Sequence, residues 1–124
     1  MKKAIHSPQA PAAIGPYSQA VGSAHLTVLS GQLGIDPHTG HLVAGGVKEQ
    51  TEQVLKNIAA ILKESGHSQE DVVKTTVFLT DMSDFAAMNE VYARFFTEPF
   101  PARSTVAVRS LPKNALVEIE VLVF

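Results

Sequence analysis

The chain has 124 residues, no cysteine, and ten basic against twelve acidic side chains, for a net charge of −2. That length suits one domain burying about two-thirds of its unfolded surface, and the lack of cysteine excludes disulfides, thiolate metal sites and thiol nucleophiles. The charge balance offers no footprint for nucleic acid or anionic membrane, and no signal-like or transmembrane apolar run follows Lys2 and Lys3, so a soluble, cytoplasmic protein is expected.

A short strand opens the chain near Lys3–His6. Pro8 to Pro16 is then irregular, because three prolines and a glycine do not enter a regular ladder. Tyr17–Val21 and Leu26–Ser30 read as strands around a turn at Gly22-Ser23. Asp36-Pro37-His38-Thr39-Gly40 is turn chemistry. From Val47 to Ser65, residues Val47, Thr51, Val54, Leu55, Ile58, Ile61 and Leu62 recur at helical spacing, and Gly66 suits the end of that helix. Val72–Thr80 is β-branched and strand-like. Asp84–Thr97 is again helical, with Phe85, Met88, Val91, Tyr92 and Phe95 on one stripe and Asp81 or Ser83 as N-cap. Pro101–Arg109 and Leu116–Val123 alternate as strands with one buried face. No repeat or linker divides residues 1–124, so a single domain is expected.

This order predicts an α+β fold in which two amphipathic helices cover one face of a mixed sheet. In the last two strands Val106 and Val108 oppose Arg103, Thr105, Ala107 and Arg109, while Val117, Ile119, Val121 and Val123 oppose Leu116, Glu118, Glu120 and Leu122. The uncovered face is then expected to carry Arg103, Ala107 and Arg109 together with Leu116, Glu118, Glu120, Leu122 and Phe124. A water-facing sheet surface is normally uniformly polar. A mixed one predicts a homo-oligomer; the alternative is a monomer with scattered exposed apolar residues.

Several motifs occur together: Pro101-Ala102-Arg103-Ser104 with Val106, Arg109, Leu111 and Val117-Glu118-Ile119; Ala12-Ala13-Ile14-Gly15-Pro16-Tyr17-Ser18-Gln19-Ala20; Ser30-Gly31-Gln32; Val73-Lys74-Thr75-Thr76-Val77; and Met88-Asn89-Glu90-Val91-Tyr92. In this combination the chain resembles the RidA (YjgF) family over essentially its whole length. The resemblance implies a chorismate-mutase-like fold assembled as a homotrimer whose sheets form a central barrel. It also implies a last strand inserted in the middle of the sheet, and ligand pockets in clefts between subunits. The implied activity is hydrolysis of enamines and imines, such as 2-aminoacrylate and 2-iminobutyrate, to 2-keto acids and ammonia, with no cofactor.

The residue chemistry agrees with this reading. A 2-imino acid carries a carboxylate, which the planar fork of Arg103 can grip through two charge-assisted hydrogen bonds; the alternative for Arg103 is an intersubunit salt bridge. Glu118 occupies the family position for the carboxylate that accepts a proton from water or orients it. Glu120, on the same face, is expected to be an interface or solvated charge. The resemblance adds Tyr17, Ser30, Gly31, Asn89 and Thr105 as substrate-binding candidates. Gly31 permits close backbone approach. The alternative for Ser30 is a strand-end hydroxyl bonded to its own backbone, for Tyr17 a buried aromatic at a subunit contact, and for Asn89 a tie from the second helix to a loop. Thr105 is expected to contribute its carbonyl.

Three patterns are set aside. Asp36, His38 and His41 lie on a turn without a third firm ligand spacing, so no metal is expected. Gly45-Gly46 lacks the remainder of a phosphate loop. Lys48, Lys56 and Lys63 form a solvated helix face. Two further functions compete with the deaminase: a non-catalytic module binding small carboxylates, and an RNA-directed translation inhibitor or ribonuclease. The charge balance and few aromatic residues weigh against the last.

Overall fold

A computed structural model describes the whole chain, Met1–Phe124. Six strands and two α-helices follow in the order β1 (Lys3–Ile5), β2 (Ala20–Ser23), β3 (Leu26–Leu33), α1 (Val47–Glu64), β4 (Val72–Leu79), α2 (Phe85–Phe95), β5 (Ala102–Ala107) and β6 (Val117–Val123). The strands form one sheet in the order β1-β2-β3-β6-β4-β5. All neighbours are antiparallel except β4 and β5, the parallel pair that α2 connects. The last strand of the chain therefore fills the centre of the sheet.

The helix ends follow from local chemistry. Gly46 N–H donates to Glu49 Oε1 at 2.8 Å, satisfying one donor that the first turn of α1 leaves free. Gly45 is at φ 112°, and a methyl group there would sit 2.6 Å from Glu49 Cγ. The glycine pair thus makes room for a cap. At the other end Gly66 adopts φ 81°, with Gly66 N–H bonded to Lys63 O and His67 N–H to Leu62 O, which is a Schellman motif. Before α2, the Asp81 carboxylate accepts Ser83 N–H at 2.9 Å and caps the short turn Met82–Asp84.

Both helices press on one side of the sheet. The core includes Leu29, Val77, Leu79, Val117, Ile119, Val121 and Val123 from the strands, and Val54, Leu55, Ile58, Ile61, Leu62, Met88, Val91, Tyr92 and Phe96 from or beside the helices. The other side is open. Leu26, Val28, Val106 and Phe124 are exposed there, with Glu118 and Glu120 among them.

Several expectations change. The first hairpin turns at Ala24-His25, two residues later than predicted, because Ser23 pairs with Leu26. Tyr17, Ser18 and Gln19 precede β2 rather than forming it. Helix α2 stops at Phe95, where Phe96 becomes extended (φ −91°, ψ 147°) and packs on Tyr92 and Phe95. The largest correction concerns β5. Arg103 pairs with Thr75, and Thr105 with Val77, and both β4 partners are buried beneath the helices. Arg103 and Thr105 therefore face the helices, while Ser104 and Val106 face the open side. Arg109 lies beyond the strand. Alternation correctly groups the residues sharing a face, but it does not say which face the helices cover.

Helix α1 meets the sheet at Gly34, where a methyl group would sit 2.8 Å from the Cα and carbonyl oxygen of Gln50. Gln50 Oε1 also accepts Leu116 N–H at 2.8 Å, tying the first turn of α1 to the start of β6. Gly34→Ala forces these backbones apart and is expected to cost about 1–3 kcal/mol, as overpacking does. Urea unfolding followed by circular dichroism reads this as a lower midpoint; an unchanged midpoint contradicts the close approach.

Candidate active site

The register of β3 against β6 shifts between Leu29 and Gln32, leaving Ser30 and Gly31 in an irregular stretch of the strand. Such bulges re-aim side chains and often flank sites. Glu118, facing Leu33 on one side and Phe78 on the other, lays its carboxylate over this stretch. A methyl group on Gly31 would sit 2.6 Å from Glu118 Oε2. Gly31 is thus needed for the position of Glu118, whatever its backbone does for a ligand.

Beside this contact opens a cavity of about 720 Å³, lined in part by Tyr17, Gln19, Ser30, Gly31, Lys113 and Glu118. That size suits a small molecule. Ser30 Oγ donates to Ser18 O at 2.6 Å, so its single proton is committed and its oxygen is left to accept. The acceptor lies twelve residues away, in the segment before β2, so the bond is not to the backbone of Ser30 itself. Tyr17 is exposed, and its hydroxyl accepts Ile14 N–H at 3.3 Å.

The outer wall hangs on Gln19, which is buried. Its Oε1 accepts Ser7 N–H at 2.6 Å, and its Nε2 donates to Ser7 O at 3.1 Å and Pro11 O at 2.7 Å. One amide thereby holds the proline-rich segment against the sheet. Lys113, at φ 58°, reaches from the opposite rim to Gly40 O at 3.4 Å. Gln19 and Lys113 are additions to the predicted set. Gln19 stood inside the motif that contains Tyr17, but its four side-chain hydrogen bonds, the fourth from Nε2 to Ala10 O at 3.4 Å, depend on where the irregular segment folds back. Asp36 Oδ1 accepts His38 N–H at 2.8 Å, organising the turn; no three His, Cys, Asp or Glu side chains gather as a metal set.

Glu118 is half-buried, and burial raises its carboxyl above the ordinary range, with the neighbouring negative charge of Glu120 adding to the effect. A carboxylate so placed is better able to take a proton near neutral pH.

Arg103 belongs to a different cluster, on the helix side of edge strand β5. Its Nη1 donates to Asn89 Oδ1 at 2.6 Å. Its Cζ lies 4.7 Å from the centroid of the Tyr92 ring and 5.5 Å from that of Phe85. The Tyr92 hydroxyl is 2.8 Å from Thr75 Oγ1, and burial raises its pKa, so it stays neutral. Thr105 Oγ1 is buried without a hydrogen-bond partner in the chain. The structure therefore divides the seven candidates. Tyr17, Ser30, Gly31 and Glu118 line one cavity; Arg103, Asn89 and Thr105 lie on the other side of the same sheet.

Together these features define an α+β protein with a small-molecule-sized cavity built around a carboxylate on the central strand. Residues 7–124 match the model of the family described as Endoribonuclease L-PSP. The chain belongs to this family, the YjgF/RidA family. It is 52% identical to a RutC family protein of Pyrococcus horikoshii, over 100% of this chain and 98% of that one. It is 49% identical to the 2-iminobutanoate/2-iminopropanoate deaminase of Mus musculus, over 98% of this chain and 90% of that one. The crystal structure of RidA from an Antarctic Psychrobacter superposes with a TM-score of 0.95 at 50% identity, covering 98% of both chains.

Because the Glu120 charge contributes to the raised carboxyl of Glu118, Glu120→Gln is expected to move the Glu118 titration to lower pH. Carboxyl-carbon NMR across an acid titration checks this directly. An unmoved or higher midpoint would show that Glu120 does not act on Glu118.

Proposed function

We propose that this protein is a hydrolytic deaminase of small 2-imino and 2-enamino acids, with 2-aminoacrylate and 2-iminobutyrate as the substrate class, releasing 2-keto acids and ammonia. The observation that carries the reading is the likeness to a 2-iminobutanoate/2-iminopropanoate deaminase along nearly all of both chains. The half-buried carboxylate beside a cavity of suitable size supports it.

In this reading the enamine tautomerises to the imine, and water then adds to the C=N carbon. Glu118 takes a proton from that water as the C–O bond forms, and the imine nitrogen gains a proton. The resulting carbinolamine breaks its C–N bond and releases ammonia as the carbonyl forms. Ser30 Oγ, free only to accept, suits the N–H end of the substrate, and the Arg103 fork suits the carboxylate end. Water is the only co-substrate the equation needs.

Arg103 and Glu118 lie on opposite sides of one sheet, so a ligand touching both must sit between two copies of the chain. We therefore place the working site in a homotrimer, where the open faces form a central barrel and the Glu118 cavity of one copy meets the β5 edge of the next. The exposed Leu26, Val28, Val106 and Phe124 support a covered open face.

The test couples the protein to a pyridoxal-phosphate-dependent threonine dehydratase and follows keto-acid release. Wild type is expected to accelerate release, and Arg103→Ala and Glu118→Gln to abolish the acceleration while the oligomer persists. Randomly mixed oligomers of these two variants should recover activity in about a quarter of their clefts, because each variant supplies the group the other lacks across a shared interface. No acceleration by wild type would overturn the deaminase reading. Acceleration without recovery in mixed oligomers would overturn the shared site.

The family description also names an endoribonuclease. The net charge of −2 and an aromatic content of only 6% favour the small-molecule reading. RNA cleavage that persists through purification and disappears in Arg103→Ala would favour the other.

A further inference from the structure

The side chains that touch Arg103 carry no charge. The ion pairs of the chain are Lys48 with Glu90 and His67 with Asp71, and Arg103 takes part in neither. It rests instead on three α2 side chains, Phe85, Asn89 and Tyr92, whose spacing of four and then three places them on one helical stripe. The stripe is itself anchored, since Tyr92 is buried and bonded to Thr75, the residue directly beside Arg103 in the sheet.

We propose that Phe85, Asn89 and Tyr92 are positioning residues that aim Arg103 through neutral contacts, keeping its positive charge unspent for the carboxylate of the ligand. The inference rests on the proposed role of Arg103 and assigns the set of residues that makes it effective. The amide oxygen of Asn89 engages one of five guanidinium N–H donors and leaves the rest free. The ring faces attract the cation without neutralising it. An aspartate at position 89 would hold Arg103 more strongly through a charge-assisted bond. It would also place a negative charge beside the incoming carboxylate. Asparagine therefore fixes geometry where aspartate would compete with the ligand.

Calorimetric titration of the assembled protein with 2-ketobutyrate tests this, beside steady-state kinetics. Arg103→Ala is expected to abolish binding. Asn89→Asp should weaken it roughly a hundredfold, as like charges brought together across a binding contact do, and Asn89→Ala only about tenfold. In kinetics the Asn89→Asp loss should fall on KM, with kcat little changed. Phe85→Leu, which keeps apolar bulk under α2, is expected to weaken binding severalfold and guards against a folding defect specific to position 89. If Arg103→Ala leaves binding intact, the carboxylate reading falls and this inference falls with it. If Arg103→Ala abolishes binding while Asn89→Asp binds no more weakly than Asn89→Ala, the neutral-contact inference alone is overturned.

Discussion

Strand β6 is hydrogen-bonded on both flanks, by β3 and by β4, and its alternation ties the core and the site to one register. Val117, Ile119, Val121 and Val123 are at most 1% exposed. Burying each such side chain contributes about 1.5–3 kcal/mol, so four of them together rival the whole net stability of a typical domain. Slipping the strand by one residue would turn all four outward and drive Glu118 and Glu120 under the helices. The core thus holds Glu118 on the open face without any hydrogen bond to its carboxylate. The bulge at Ser30 and Gly31 then supplies the one place where that side chain can lie flat.

The same parity rule separates the two charged groups. Glu118 faces away from the helices, beside Glu120, in surroundings that favour its protonated form. Arg103 faces the helices on an edge strand and meets only neutral partners. Neither charge finds its complement within one chain. Half-buried charges left unpaired are costly, and stable monomers rarely leave apolar side chains grouped around such charges on an open sheet. In the proposed trimer, a neighbouring copy that brought guanidinium, ligand carboxylate and Glu118 together would relieve both deficits at once.

Much of the fold was legible because local chemistry and tertiary packing agree. Both helices carry apolar stripes wide enough to reveal their core faces, and Gly66 ends α1 by a motif that depends on glycine. The central place of β6 came from the family resemblance, since no period or turn in the sequence encodes strand order. Arg103 was misplaced for a related reason. In strand β5 the inward set is Arg103, Thr105 and Ala107, and the outward set of Ala102, Ser104 and Val106 is the more apolar, because it lies on the open face that carries the other exposed apolar side chains. Hydrophobic alternation is therefore a weak guide on this strand. What decides the face is α2, whose Asn89, Phe85 and Tyr92 accommodate a guanidinium there. Tyr92 read as an ordinary core aromatic, because contact with Arg103 requires knowing that β5 lies parallel beside β4. Gly31 was recognised, but its contact with Glu118 crosses from β3 to β6 and has no local signature.

The cavity joins two kinds of structure with different mechanical character. Its carboxylate stands on the most constrained strand of the sheet, whereas its outer wall is the irregular segment before β2, closed onto the body by the Gln19 amide. Strand-mounted groups hold their geometry closely, which is what proton transfer to or from a reacting atom requires. A wall without regular backbone ladders can change its lining without disturbing the core, because its attachment is one buried side chain rather than a register. On the proposed function, chemistry and substrate fit would thereby be carried by separable parts. The division explains why a proline-rich stretch with little secondary structure is held by so many buried hydrogen bonds: loosening it would open the cavity while leaving the sheet intact.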